Sequence, residues 1–426
     1  MTSILLFGLF AFFLVTNVPI AIALGISAVV ILKITGIDML MIPSNIYSAT
    51  SKFALLAVPY FILAGNIMEK TGISRKLINF AESLVGHKRG GLALVCVIVS
   101  CFFAAISGSG PATVAALGLI IIPAMVENGY KRGFSSALMA TAGGIGIIIP
   151  PSITFVIYGS IANVSIGELF MAGVFPGLIV GISLAVVSLW TTRHDDLKKL
   201  PKASAKERWK AFKDAFWGLM MPVIILGGIY GGIFTPTEAA AVSAAYGFIV
   251  GLFIYRTIKL KEFYQILVDS AAQTAVVMFI MATACLFAWI MTVEGIATAA
   301  SNAFITISNG NKYTFLFLLN ILLLLAGCVL DTSSALYIFA PIYISVGRAL
   351  GVDLIHLGVI SIVNLAIGLV TPPVGVNLYM ACGIGKVNMK EISKSVVPIL
   401  IGAIIALFII TYIPQISLFL PSLMKK

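Results

Sequence analysis

The sequence predicts an all-α polytopic membrane protein built from two inverted-topology repeats, each holding a re-entrant hairpin and a transmembrane helix broken at a Pro-Pro pair. Three observations carry that prediction. The chain of 426 residues is 60% hydrophobic and only 10% charged, with mean hydropathy +1.10. Soluble domains hold roughly 25% charged residues, so this surface has to be solvated by lipid. Apolar runs of about 20 residues, the length that crosses a hydrocarbon core, recur along the chain. Adjacent prolines, which a helix interior does not tolerate, fall inside apolar stretches twice, in GIIIPPSITFVIYG (146–159) and LVTPPVGVNLYM (369–380).

The opening residues, MTSILLFGLFAFFLVTNVPIAIALG, lack a basic leader, and their apolar run exceeds the roughly 7–15 residues of a signal peptide. They read as a retained membrane helix. Cys96, Cys101, Cys285, Cys328 and Cys382 lie in apolar segments without metal-site spacing and read as small buried hydrophobes. The net charge of +11 does not imply a nucleic-acid partner. Its bases sit in short loops: Arg75, Lys76, Lys88 and Arg89; Lys131 and Arg132; Arg193 to Lys213; Arg256, Lys259 and Lys261; Lys386, Lys390 and Lys394. That bias assigns those loops to the cytoplasm.

The first repeat is expected over 1–190. Its hairpin, about 91–126, enters from the cytoplasm between Lys88/Arg89 and Lys131/Arg132, turns at 107–111, and precedes a broken helix at about 134–161. A polar cytoplasmic linker follows at 191–215. Within it, ASAKERWKAFKDAF (203–216) reads as an interfacial amphipathic helix anchored by Trp209 and Phe212, or as a contact for another subunit. The second repeat, 216–426, has its hairpin at about 314–346, a tip at 331–334, and a broken helix at about 355–384. Gly146, Pro150, Pro151, Glu168 and Pro176 stand opposite Gly368, Pro372, Pro373, Glu391 and Pro398. The base-rich segment 70–89 corresponds to 295–312, where Lys312 is the lone base. Corresponding loops therefore lie on opposite faces, which is the inverted-repeat plan of many secondary transporters.

Irregular backbone at membrane depth is tolerated only where it is buried in protein or lines a polar cavity. A broken helix offers carbonyls at one half-helix end and N–H groups at the other. Carbonyls and hydroxyls suit a hard monovalent cation, and N–H ends suit a carboxylate. Two Na⁺ sites are expected. Site 1 takes Ser107 and Ser109 with carbonyls from Gly144 through Ile149 to Pro150; site 2 takes Asp331, Thr332 and Ser334 with carbonyls from Gly368 to Thr371. Substrate contacts are expected at Ser109, Ser152, Asp331, Thr332 and Asn377. An ionised Asp331 at membrane depth costs at least about 2.5–3.5 kcal/mol unless paired, so a bound Na⁺ or a substrate donor is its expected partner. Glu168, Glu391 and His356 read as structural.

The motifs SGSGPATVAALG (107–118), GIIIPPSITFVIYG, FTPTEAAAVSAAYG (234–247), LDTSSALYIFAPI (330–342) and TPPVGVNLYMACGI (371–384) together resemble one family over essentially the whole chain. It is the large membrane subunit of tripartite ATP-independent periplasmic (TRAP) transporters, within the ion-transporter superfamily. The resemblance implies an elevator-type fold in the bacterial inner membrane, sodium-driven transport, a small membrane subunit as partner and a periplasmic substrate-binding protein. It places family site positions on Ser107, Ser109, Ser152 and Asp331, with sodium ligands around Gly144, Pro150, Gly368 and Thr371. The chain resembles the sialic acid branch in particular. With no fixed deep Arg or Lys to clamp a dianion, a polyhydroxy monocarboxylate such as sialic acid is preferred over a C4-dicarboxylate. A stand-alone sodium–dicarboxylate carrier is the alternative. An intramembrane protease using Ser109 is disfavoured because His87, His194 and His356 lie in loops or at a helix edge, away from any position as its base.

Overall fold

Lipid offers no hydrogen bonds, so peptide groups that face it must pair within the chain, and helix does this locally. The computed structural model describes residues 2–424, and among them the regular structure is helical. The first half contains α1 (Thr2–Val15), α2 (Ile20–Thr35), α3 (Met41–Thr50), α4 (Ala57–Lys70), α5 (Ile73–Val85), α6 (Gly91–Ser107), α7 (Gly110–Glu127), α8 (Arg132–Gly144), α9 (Ile153–Ala162) and α10 (Ile166–Thr191). The second half contains α11 (Ala205–Tyr230), α12 (Pro236–Ile249), α13 (Leu260–Val293), α14 (Ile296–Ile307), α15 (Lys312–Val329), α16 (Thr332–Ala349), α17 (Leu354–Gly368), α18 (Val376–Gly385) and α19 (Met389–Tyr412), followed by α20 (Pro414–Met424). Among the described residues, 8 helical stretches are long and apolar enough to cross a membrane.

The halves match element for element from α1/α11 to α10/α19. One pair departs. The second half has a single helix of 34 residues, α13, where the first has α3, a 3₁₀ turn at Phe53–Leu56, and α4. Polar Thr50, Ser51 and Lys52 interrupt the apolar run there, and Pro59 has no N–H to give back to the preceding turn. A proline is accommodated in the first turn of a new helix, where that N–H has no partner anyway.

The helices that precede each Pro-Pro pair form the centre. Every residue of α8 from Gly133 to Gly144 and of α17 from Ile355 to Gly368 is buried. Helices apolar all round belong inside a bundle. The halves also interlock: α18 packs on α7 and α8, while α9 packs on α16 and α17. Tyr158 of α9 donates its hydroxyl to the carbonyl of Leu354 at 2.8 Å. Small residues set the spacing, since a Cβ on Gly368 would lie 2.6 Å from the Cα of Gly327 on α15. Lipid tails supply no hydrophobic drive between helices, so such close van der Waals contact is what holds them.

The polar connector differs from its expected form. Helix α11 starts at Ala205, where Ser204 and Glu207 form a reciprocal capping box, and runs unbroken into the membrane stretch. Residues 205–217 contain neither Gly nor Pro and are rich in helix-favouring Lys, Glu, Arg and Ala, so nothing ends the helix at 216. The amphipathic stretch expected as a separate linker helix is thus the first part of the membrane helix α11. The ring of Phe212 lies 5.7 Å from that of Phe80 on α5, while Trp209 stays 61% exposed. Phe212 thus packs against protein, and Trp209 alone keeps the outward position of an interfacial anchor.

Candidate ion and substrate site at the hairpin tips

The first tip is turned by glycine. Gly108 takes φ +60° and closes α6 by donating its N–H to the Ala104 carbonyl. A Cβ there would lie 3.0 Å from the carbonyl oxygen of Pro151, so the tip rests on the Pro150–Pro151 break and only glycine fits. Ser109 is extended and Pro111 sits in the first turn of α7. Three oxygens converge: Ser107 Oγ lies 2.7 Å from Thr113 Oγ1 and 3.2 Å from the Ser109 carbonyl, to which Thr113 Oγ1 also donates at 2.8 Å. Gly146 closes over this cluster, since its Cβ would lie 2.6 Å from Thr113 Oγ1. Uncharged hard oxygens are the ligand type that a hard cation takes. Among the described residues no group of three His, Cys, Asp or Glu side chains comes together, so nothing here resembles a transition-metal site.

The second tip is turned differently. Leu330 is extended, and Asp331 is the N-cap of α16, accepting from the N–H groups of Ser333 at 2.9 Å and Ser334 at 3.1 Å and from the Ser334 hydroxyl. The carboxylate thus has partners within its own helix, whose N-terminal dipole favours the charge. Thr332 and Ser334 belong to the first turn of α16, not to an irregular tip extending to 334. A local Asp-x-x-Ser cap accounts for that shortening.

Several carbonyls expected to be free at the breaks are engaged. Ser152 Oγ donates to the Ile147 carbonyl at 2.7 Å, and the N–H groups of Ile148 and Ile149 both point to Ile145. In the second break the Gly368 carbonyl accepts from Thr371 N–H, the Leu369 carbonyl from Asn377 N–H, and Thr371 Oγ1 donates to Ile367. Each carbonyl keeps a second lone pair, so these bonds restrict a ligand's direction without removing it. Gly144 turns its open side to the Ala366 carbonyl of α17, 3.1 Å from where a Cβ would stand, and Gly368 turns its own to Gly327. Both glycines serve close helix contact. Pro150 is buried and Ile149 half-buried beside α10, where Gly177 makes room for the Ile149 side chain.

Asn377 is fully buried behind the first tip. Its Nδ2 donates to the Ala140 carbonyl at 3.1 Å, its side chain abuts Gly110, and its Oδ1 has no hydrogen-bond partner among the described residues. Such an acceptor costs about 1–3 kcal/mol if left unpaired, so the position favours a cation or water against Oδ1. Thr113 is absent from the site residues expected from the sequence, yet it carries a signal: it follows Ser109 by four residues, one helical turn, on the face of the tip serines.

A cleft of about 540 Å³ reaches the first tip and is bordered by Asn66 and Glu69 of α4, Ser107 and Ser109, Gln273 of α13, and Met380 of α18. A second hollow of about 370 Å³ shares Asn66, Glu69 and Gln273 and continues to Lys70 and Asp269, the end of α4 that the loop charges place in the cytoplasm. Of the residues expected to contact substrate, Ser109 lines this cleft; Ser152, Asp331, Thr332 and Asn377 do not.

Comparison with known proteins supports one family. Residues 7–416 match the family described as Tripartite ATP-independent periplasmic transporter, DctM component. The chain is 40% identical over 439 residues to the C4-dicarboxylate TRAP transporter large permease protein DctM of Rhodobacter capsulatus, covering 100% of both chains. It is 44% identical over 416 residues to the isethionate TRAP transporter permease protein DctMQ of Oleidesulfovibrio alaskensis, where it spans 97% of its own length and 65% of that relative's. Among solved structures, the YdaH transporter of Alcanivorax borkumensis matches with TM-score 0.63 at 13% identity, covering 88% of this chain and 89% of that one. That likeness concerns the fold alone.

Proposed function

The chain belongs to the DctM component family of tripartite ATP-independent periplasmic transporters, and from that premise we propose that it is the large permease subunit of a sodium-coupled importer of a small organic acid. It is a multi-pass protein of the bacterial inner membrane. The single observation that carries the proposal is the cleft from the cytoplasmic face to the three-oxygen cluster of Ser107, Ser109 and Thr113, beside a helix broken in register with its partner in the other half. In this reading sodium is cargo. One ion is held by the first-tip oxygens with Asn377 Oδ1 near by, a second beside Asp331 and Thr371, and the acid's charged head meets the N–H ends at the tips. The tips and broken helices move as one body against α2, α4, α12 and α13, exposing the site to either face in turn. Partners are a small membrane subunit and a periplasmic binding protein that delivers the acid.

Two substrate classes stand side by side. Sialic acid is favoured by the absence of a deep fixed base at the tips; a C4-dicarboxylate is favoured by what the full-length Rhodobacter relative is named for. The test is uptake of labelled N-acetylneuraminate or succinate into proteoliposomes holding this chain and its small partner, under an inward Na⁺ gradient, with and without the binding protein. Uptake of one acid that needs both sodium and the binding protein supports the proposal and assigns the substrate. Uptake that does not need the binding protein assigns the chain to a stand-alone mode instead, and sodium-independent uptake refutes the coupling.

A further inference from the structure

A separate cavity of about 290 Å³ lies on the face opposite the open cleft, between α3, the far end of α13 and the outer part of α16. Its lining includes Asn45, Ser48, Lys52, Trp289, Thr292 and Tyr337, and no carboxylate. The half-buried thiol of Cys285 lies in the same wall. Among the described residues Lys52 makes no ion pair. Its ammonium donates to the carbonyl of Ser160 at 2.8 Å, 108 residues away, in the last turn of α9. That carbonyl is one of the four that a helix C-terminus leaves without an internal partner, and Arg348 of α16 takes another, on Ala162, at 3.3 Å.

Resting on the organic-acid reading above, we infer that Lys52 and the polar groups around it form an extracytoplasmic anion subsite, distinct from the hairpin tips, that holds the carboxylate or sulfonate head of an arriving acid before translocation. The chemistry is a charge-assisted pair. An ammonium carries three donors and spends one on Ser160, leaving two for an anionic oxygen. The hydroxyls of Ser48 and Tyr337 and the second N–H of the Asn45 amide, whose first goes to the Met41 carbonyl, supply further donors around one small volume, and Trp289 supplies an apolar wall. The loop charges leave this face poor in bases, so a lone cation in a cavity without acids is where an anion concentrates.

The test uses the reconstituted complex with its chain otherwise unaltered. Modification of Cys285 by methyl methanethiosulfonate, applied from the extracytoplasmic side, is followed on the Cys285 peptide by mass spectrometry while succinate or N-acetylneuraminate is titrated. With Lys52 present, the transported acid slows modification; in Lys52→Gln the concentration needed rises about tenfold, and in Lys52→Arg protection is retained. Uptake in Lys52→Gln shows a KM about tenfold higher with Vmax within about twofold. The fully esterified acid, dimethyl succinate or the methyl ester of N-acetylneuraminate, protects neither form. Equal protection in the unaltered chain and in Lys52→Gln, or a change in Vmax alone, overturns the subsite and leaves Lys52 as a structural tie to Ser160. Protection is read at equilibrium, so absence of any uptake by the unaltered complex would count against the transport reading while the subsite is still judged by protection.

Discussion

At the scale of single residues, Thr113 and Asp331 do different work at the two tips. Thr113 holds the first tip by its hydroxyl, which meets both Ser107 Oγ and the Ser109 carbonyl. Thr113→Val keeps the shape and removes those bonds. The sodium concentration for half-maximal uptake is expected to rise about tenfold, consistent with loss of one oxygen ligand; an unchanged sodium dependence would remove Thr113 from the site. Asp331→Asn keeps an oxygen for the cap but sets an NH₂ near the amides of Ser333 and Ser334 and removes the charge. It is expected to cost about 1 kcal/mol of stability and to abolish uptake with normal expression. That the serines and the aspartate stand at the two hairpin tips was legible in the sequence, because they separate pairs of short apolar helices. That Asp331 finds partners in its own helix was not, because a cap and an ion ligand use the same residue types.

At the scale of elements, the breaks recur because each half needs one, and a repeated Pro-Pro pair is visible without a structure. What sequence could not show is which helix faces which. The interlocking of α9 with α16 and α17, and of α18 with α7 and α8, arises from packing between halves, and no spacing encodes it. The glycines that permit it give a graded test. Gly358→Ala would place a Cβ 2.4 Å from the Tyr158 ring, and Gly368→Ala 2.6 Å from the Gly327 Cα, where backbone cannot yield. Each is expected to lose about 1–3 kcal/mol by overpacking and to lower the melting temperature of the purified protein, Gly368→Ala more than Gly358→Ala. Gly383 on α18 has open space, with nothing within 4 Å, so Gly383→Ala should be neutral or stabilising by up to about 1 kcal/mol. The continuous α11 escapes a sequence reading for a related reason: its amphipathic first turns and its apolar later turns look like two objects until one sees that no residue between them stops a helix.

At the scale of the whole molecule, the open cleft reaches the Ser107–Ser109 tip from the cytoplasmic side, while the cavity on the other face includes no tip residue. In the orientation that the loop charges assign, and under the transport mechanism proposed above, that is the arrangement expected of an inward-facing form. In oriented vesicles the thiol introduced by Ser109→Cys, followed on its own peptide apart from Cys285, should react with a membrane-impermeant thiol reagent supplied from the cytoplasmic side and resist it from the other, and delivery of acid by the binding protein should reduce that asymmetry. The inverted halves were legible because loop charge reports orientation independently of packing; the face to which the first tip opens was not, since loop charge says nothing of where packed helices leave a gap. The central claim is that sodium and acid cross together through a site built from both halves. The most direct measurement is simultaneous flux of radiolabelled sodium and labelled acid in proteoliposomes of the full complex, with the membrane potential clamped. More than one sodium ion is expected to enter with each acid molecule, and both fluxes are expected to be lost in Asp331→Asn. Acid entering without sodium, or an unaltered flux ratio and rate in that variant, would contradict that claim.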